Sequence, residues 1–168
     1  MSFLVVIVFC LAGFSLKMAD LLGERNGGVK AFFVSGLSAT LFWLLLKANN
    51  ESSTIILSIV VGCLLTLKVD KPNLVFGLGV LVFLAFLLGF YPPTLWLLIL
   101  LLVLTVLDEV THEKLKNPFF RFRGFLKVAV VVLAVLGFLD YLNALGFILF
   151  DLAYDLTSVW LGKEKMGG

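Results

Sequence analysis

The chain has 168 residues, of which 61% are hydrophobic and 14% are charged, and its mean hydropathy is +1.13. A soluble domain is usually about 45–50% apolar and about 25% charged, so a water-soluble core could not bury this much apolar surface. A formal net charge of +2 and two cysteines exclude a nucleic-acid-binding domain and a disulfide-stapled scaffold. The long apolar blocks lack period-2 alternation, which excludes an outer-membrane barrel and predicts an all-α, polytopic helical membrane protein.

The predicted transmembrane helices follow from the lengths of the apolar blocks, since a helix needs about 20 mostly apolar residues to cross a bilayer. We predict about seven of them, at residues 3–22, 29–46, 53–67, 73–90, 94–107, 125–139 and 142–161. The clearest breaks contain Gly, Pro, Asn or charged residues and lie at 23–28, 49–52, 68–72, 91–93 and 108–124. We therefore expect residues 1–168 to form one integral-membrane helical bundle without a soluble domain.

The break between the last two predicted helices is the weakest, because Asp140 and Asn143 are its only polar residues. The alternative is one long kinked helix, which would leave six spans and a carboxy-terminal helix in the membrane interface. The distribution of positive charge favours seven spans, since six would move Lys163 and Lys165 to the opposite side of the membrane.

The orientation follows from the lysines and arginines, because positively charged flanks are retained in the cytoplasm. With seven spans, one side of the membrane holds Lys47 alone, and the other side holds the remaining 12 of the 13 basic residues. We therefore predict a protein of the cell membrane whose amino terminus lies outside and whose carboxy terminus lies in the cytoplasm.

Asp151 is the acidic residue predicted to lie nearest the middle of the membrane, where an unpaired charge costs several kcal/mol. Asp155 follows it by four residues, so both carboxylates lie on one face of the last helix. The pair could form an intramembrane relay for a cation or a proton. The alternative is structural, with Asp151 accepting hydrogen bonds from a neighbouring helix or pairing with Lys17.

Lys17, Asp20 and Glu24 form a stripe along one face of the first predicted helix, at spacings of three and four residues. Such a stripe is expected to face the bundle interior or the lipid headgroups rather than the acyl chains. In the simpler interpretation, Lys17 extends toward the interface and pairs with Asp20.

The densest polar segment is 108–113, at the cytoplasmic end of the fifth predicted helix. Glu109 and His112 have the E-x-x-H spacing that can bring a carboxylate and an imidazole to one metal ion. Di-iron sites of helical bundles use two such motifs, however, and this chain has one histidine. The alternative is a solvated acidic helix end that pairs with nearby lysines.

Basic and aromatic residues alternate in the segment 114–124, which includes Arg121 and Arg123. Basic groups reach lipid phosphates while phenylalanines enter the acyl boundary, so this segment is expected to lie in the cytoplasmic interface. Positive-inside retention and interfacial anchoring explain it without a specific ligand.

The first functional hypothesis is a membrane-embedded enzyme that acts at the cytoplasmic face on a polar or phosphorylated membrane lipid. A divalent cation would neutralise the phosphate and polarise the reacting oxygen. Ligands that are mostly oxygen atoms favour Mg²⁺ or Mn²⁺ over Zn²⁺. The candidate residues are, as catalytic residues, Asp20, Asp108 and Asp155; as metal ligands, Glu24, Glu109 and His112; and as phosphate-binding residues, Lys17, Lys68, Lys71, Arg121 and Arg123.

Two other functions remain open. The chain could be a transporter or channel that moves a cation or proton along Asp151 and Asp155. A transport path needs polar groups at successive depths, and the predicted outer half has few of them, which favours the enzyme. The third hypothesis is a structural or accessory subunit whose charges only orient it. Membrane lipids, and no nucleic acid, are the expected partners.

Cysteine-accessibility labelling tests the predicted orientation, after Cys10 and Cys63 are replaced by Ala. Single cysteines introduced within residues 49–52 should react with an impermeant reagent added outside intact cells. A cysteine at position 116 should react only after the membrane is opened, because positive-inside retention holds that segment in the cytoplasm. Labelling at position 116 from outside would contradict the orientation.

Overall fold

A computed structural model describes residues 3–25, 28–114 and 124–162, and the side chains of all of these except 112–114 and 161–162. In these ranges the protein is all-helical, as the sequence predicts. The seven helices are α1 (Leu4–Glu24), α2 (Gly28–Leu46), α3 (Asn50–Leu65), α4 (Pro72–Leu88), α5 (Leu95–Lys114), α6 (Gly124–Val135) and α7 (Tyr141–Gly162).

The helix boundaries follow local chemistry. Asn49 caps α3, because its side-chain oxygen accepts a hydrogen bond from the backbone N–H of Ser52 at 2.8 Å. Pro72 is the first residue of α4. Proline is tolerated there because the N–H groups of the first turn have no acceptor within the helix, so none is lost. Gly137 adopts a φ of 78° just after α6. Residues 125–161 therefore form two separate helices rather than one kinked helix.

The most extensive helix contact among the described residues joins α1 and α7. Gly13 of α1 faces the backbone of Phe150, and the ring of Phe9 lies against Gly146. Later residues of α1 meet later residues of α7, so the two helices run parallel. The rest of the bundle is built by packing α1 on α2, α2 on α3 and α4, α3 on α5, and α5 on α6.

The bundle has two chemically different ends. One contains the first turn of α3 and the loops 89–94 and 136–140, and we call it the asparagine end. There the hydroxyl of Ser53 donates to the backbone oxygen of Tyr91 at 2.7 Å. The opposite end contains Lys17, Lys71 and Lys127, and we call it the lysine end.

A buried hydrogen-bond network joins helices at the asparagine end. The hydroxyl of Ser52 donates to Asn143 Oδ1 at 2.7 Å, and Asn143 Nδ2 donates to Glu51 Oε2 at 2.8 Å. The backbone N–H of Asp140 donates to the same Glu51 oxygen at 2.6 Å. These bonds link the start of α3 to the start of α7. Because its buried groups are paired, the network is structural, a role that the sequence did not predict for Asn143.

Three helices, α1, α2 and α7, are long and apolar enough to cross a bilayer. The helices α3, α4 and α6 are apolar but shorter: α3 has 16 residues and α6 has 12, about 24 Å and 18 Å against a hydrocarbon core of about 30 Å. Large apolar side chains such as Phe86 and Trp160 are exposed on the outside of the bundle. These features are consistent with a membrane location. The number of spans stays a prediction.

The contact between Gly13 and α7 predicts that Gly13→Ala destabilises the bundle. A Cβ at position 13 would lie 2.0 Å from the backbone oxygen of Phe150, so Gly13→Ala must push α1 and α7 apart. We expect it to destabilise the bundle by about 2 kcal/mol or more, in the range of other overpacking substitutions.

Gly79 in α4 is the matched control, because a Cβ there would meet nothing within 4 Å. Gly79→Ala should be neutral or should stabilise by up to about 1 kcal/mol through helix propensity. Thermal unfolding of both variants in detergent measures the difference. Equal stability of the two variants would contradict the close contact between α1 and α7.

Candidate functional site

A cavity of about 580 Å³ opens at the lysine end, between α1, α2, α3, α4 and the loop 66–71. We call it the lysine-end cavity. Its volume is within the range of about 300–1,000 Å³ that is typical of small-molecule sites. Its wall is apolar and includes Phe42, Ile59, Leu81 and Phe150. The charged residues that line it are Asp20, Glu24, Lys68, Asp70, Lys71 and Glu109.

Four charged side chains form an ion cluster at the rim of this cavity. Lys17 Nζ lies 2.8 Å from Asp20 Oδ2, which confirms the pairing expected along the first helix. Lys71, just before α4, contacts Asp20 Oδ1 and lies 3.2 Å from Glu24 Oε1. Lys17 also lies 4.9 Å from the ring centroid of Tyr154 in α7. The ion cluster therefore ties α4 and α7 to α1.

Lys71 is held in its charged form by this cluster. Burial alone would lower the pKa of Lys71, but its hydrogen bond and attraction to Asp20, with those to Glu24, outweigh the cost of burial. The pKa of Lys71 is therefore raised above its ordinary value. At neutral pH the ammonium group is therefore charged and paired with Asp20 and Glu24.

Asp108 has a structural role that the sequence did not predict. It is buried, and its two carboxylate oxygens accept hydrogen bonds from the backbone N–H groups of Phe125 and Leu126, at 3.0 and 2.7 Å. These N–H groups belong to the first turn of α6, where a negative charge is favourable. Asp108 therefore caps α6 from α5. Its predicted catalytic role stays a prediction.

The predicted metal ligands are brought together only in part. Glu24 and Glu109 line the same cavity, although α1 and α5 are not in direct contact in the described parts of the chain. The side chain of His112 and the whole of Arg121 and Arg123 lie outside the described residues. Among the residues described, no group of three or more His, Cys, Asp or Glu side chains gathers around one point. The metal site stays a prediction.

Asp151 and Asp155 lie on one face of α7, as their spacing predicts, and both approach Lys127 of α6. Lys127 Nζ is 2.5 Å from Asp151 Oδ2 and 3.8 Å from Asp155 Oδ2. The Asp151 side chain is 4% exposed. Its Oδ2 meets Lys127 as an ion pair rather than as an aligned hydrogen bond. One of the structural alternatives paired Asp151 with Lys17, whereas the structure pairs it with Lys127.

A second, small cavity of about 10 Å³ lies between residues of α3, α5, α6 and α7. Asp108, Glu109 and Asp151 line it together with Thr105 and the apolar side chain of Phe150. Glu109 and Phe150 also line the lysine-end cavity. Asp108, Glu109 and Asp151 therefore border one small cavity, although α5 and α7 are not in direct contact in the described parts of the chain.

Two polar residues near the lysine-end cavity, Asn73 and Ser38, were not among the predicted site residues. Asn73 Nδ2 donates to the backbone oxygen of Ala19 at 2.8 Å and to Ser35 Oγ at 3.0 Å, and so joins α4 to α1 and α2. Ser38, one turn beyond Ser35, lines the cavity. The spacing of Ser35 and Ser38 on one face of an apolar helix was the available signal.

No protein-family model matches this sequence, and neither a curated protein nor a solved structure matches it.

The Lys127–Asp151 ion pair generates a stability prediction. Lys127→Met leaves the buried Asp151 carboxylate without its closest cation, and breaking a buried pair in this way costs about 3–5 kcal/mol. The double variant Lys127→Met/Asp151→Leu removes both charges and should recover most of that loss. Unfolding free energies measured in a double-mutant cycle test the pairing. A double variant with a loss equal to the sum of the two single losses would contradict it.

Proposed function

We propose that this chain is an integral membrane protein that binds a phosphorylated membrane lipid, together with a divalent cation, in the lysine-end cavity. The cation would polarise the bound phosphate for reaction, which makes the protein a metal-dependent lipid enzyme. The observation that carries the proposal is one cavity with an apolar wall and a charged rim, a combination that matches the two halves of a lipid.

The wall supports binding of an acyl chain. Phe42, Ile59 and Phe150 are buried and present apolar surface to the cavity. An acyl chain from the bilayer could enter such a cavity without exposing its CH₂ groups to water, because the wall is as apolar as the lipid interior. The lipid headgroup would then lie at the rim, within reach of Lys71 and Lys68.

The charge of the rim supports the divalent cation. The described residues that line the cavity include four carboxylates, on Asp20, Glu24, Asp70 and Glu109, and two ammonium groups, on Lys68 and Lys71. With Lys17 of the ion cluster, four negative and three positive charges leave an excess of one negative charge, which would repel a phosphate. A bound divalent cation offsets this excess, and carboxylate ligands favour Mg²⁺ or Mn²⁺.

The proposal assigns the lysine end to the cytoplasm. Lys47 lies at the asparagine end, where its Nζ donates to the backbone oxygen of Leu88 at 3.2 Å. The other 12 of the 13 basic residues belong to the opposite side under the predicted topology. The cavity would therefore open toward the cytoplasmic leaflet and receive lipids from it.

Transport along α7 has weaker support. Between Asp151 and the Asn143 network lie Phe147 and Phe150, which are both buried in the apolar core. Residues 144–150 of α7 themselves offer an ion no polar side chain over about two helical turns. Lys127 also lies between Asp151 and Asp155, and its charge would repel a moving cation.

Thermal unfolding in detergent tests the proposal, with dioleoyl phosphatidic acid as the phosphorylated probe. In the presence of Mg²⁺, a lipid concentration of 100 times Kd should stabilise the protein by about 2.7 kcal/mol. For a chain of this size, that corresponds to a rise in Tm of about 5–10 °C. Dioleoylglycerol, which lacks the phosphate, and K⁺ at matched ionic strength in place of Mg²⁺ should each give a smaller rise.

Two variants locate the binding site. Val60 lines the cavity, whereas Val82 is 60% exposed on the outer face of α4. Val60→Phe fills part of the cavity and should abolish the lipid-dependent rise in Tm, and Val82→Phe should retain it. Equal responses of the two variants would exclude the cavity as the binding site. The absence of any response to phosphatidic acid in the wild type would leave a structural role as the better hypothesis.

A further inference from the structure

Ser38 is a buried hydroxyl without a hydrogen-bond partner among the described residues. Its residue is 3% exposed, it lies in the middle of α2, and it lines the lysine-end cavity. Leaving a buried hydroxyl unpaired costs free energy, so native structures rarely contain one without a cause.

Other buried hydroxyls of this bundle are paired, and several bond to a carbonyl one turn earlier in their own helix. Ser15 donates to Ala12 at 3.1 Å, and Ser58 donates to Ile55 at 2.7 Å. The partly buried Thr40, two residues after Ser38 on the same helix, donates to the backbone oxygen of Gly36 at 3.0 Å. Ser38 is the exception. Ser35 and Thr66 also line the cavity, but Ser35 Oγ accepts from Asn73 and Thr66 Oγ1 donates to the backbone oxygen of Gly62.

The depth of Ser38 below the rim is set by its neighbours. Ser35 Oγ accepts a hydrogen bond from Asn73, which also bonds to the backbone of Ala19, the residue before Asp20. Ser35 therefore lies close to the level of the ion cluster. Ser38 is three residues further along α2, about 4.5 Å deeper in the bundle.

We propose that Ser38 is a binding residue for the glycerol backbone of the lipid, an inference that rests on the proposed function. If the lipid phosphate lies at the rim beside Lys71, the oxygen atoms on the lipid's glycerol carbons are a few bonds away from it. They would then lie next to Ser38. The Ser38 hydroxyl donates a hydrogen bond to one of them. The ligand class is therefore a glycerophospholipid rather than any phosphorylated amphiphile. The acceptor is either an ester carbonyl or an ether oxygen.

Three probes distinguish these acceptors in detergent with Mg²⁺. Dioleoyl phosphatidic acid carries ester carbonyls, its di-O-alkyl analogue carries ether oxygens, and hexadecyl phosphate carries the phosphate without a glycerol backbone. Dissociation constants are measured by titration with native mass spectrometry. The loss of one hydrogen bond in Ser38→Ala should weaken binding of at least one glycerol-containing probe about five- to tenfold. Binding of hexadecyl phosphate should not change.

Ser58→Ala is the matched control, because Ser58 is a buried serine that bonds to its own helix and does not line the cavity. It should bind all three probes as the wild type does. Ser38→Ala removes a hydroxyl that has no partner in the protein, so its Tm without lipid should equal or exceed that of the wild type. A lower Tm would indicate that the hydroxyl serves the fold and would overturn the inference.

The possible outcomes distinguish an error about Ser38 from an error about lipid binding. If all three probes bind and Ser38→Ala weakens none of them, or weakens hexadecyl phosphate equally, the role of Ser38 is wrong while lipid binding stands. If no probe binds the wild type saturably, the proposed function is wrong and the role of Ser38 is wrong with it. A loss of affinity for phosphatidic acid alone identifies an ester carbonyl as the acceptor. A loss for the ether analogue, alone or together with phosphatidic acid, identifies an oxygen bonded to the glycerol carbon.

Discussion

The contact of Gly13 with the backbone of Phe150 is the constraint on which the lysine end depends. Because Gly13 has no side chain, α1 can lie directly on α7, and the parallel direction of these helices brings Lys17 beside Tyr154 one turn later. With Gly13 against α7, the face of α1 that carries Lys17 and Asp20 is turned toward the other helices. Asp20 then meets Lys71, which fixes the start of α4 and leaves the lysine-end cavity beneath the loop 66–71.

The two ends of the bundle use polar groups in different ways. At the asparagine end, Ser52, Asn143 and Glu51 bond to one another and close the structure. Neutral and singly charged groups that satisfy each other in a buried network hold loops in place. At the lysine end, Lys71 and its carboxylate partners are only partly buried and border an open cavity. The same kinds of residue therefore stabilise the fold at one end and form a candidate binding site at the other.

Much of what the sequence predicts correctly is local along the chain. High apolar content predicts a helical bundle with apolar exterior surfaces, and polar breaks predict most helix boundaries to within a few residues. The pairs that lie within one helix, Lys17 with Asp20 and Asp151 with Asp155 on a common face, follow from the helical repeat alone. The cap of α3 by Asn49 is equally local, since its partner is three residues away.

The contacts between helices were decided only by the tertiary structure. These contacts depend on how each helix is rotated about its axis. They include the pairing of Asp151 with Lys127, the capping of α6 by Asp108 and the position of Ser38 in the cavity wall. For helices such as α2 and α4, which are apolar on all sides, hydropathy does not distinguish the inner face from the outer one. The sequence by itself therefore determined that the chain forms apolar helices and where they break. Which polar side chains meet was determined by close packing, at positions such as Gly13 and Gly77, where small residues let helices approach.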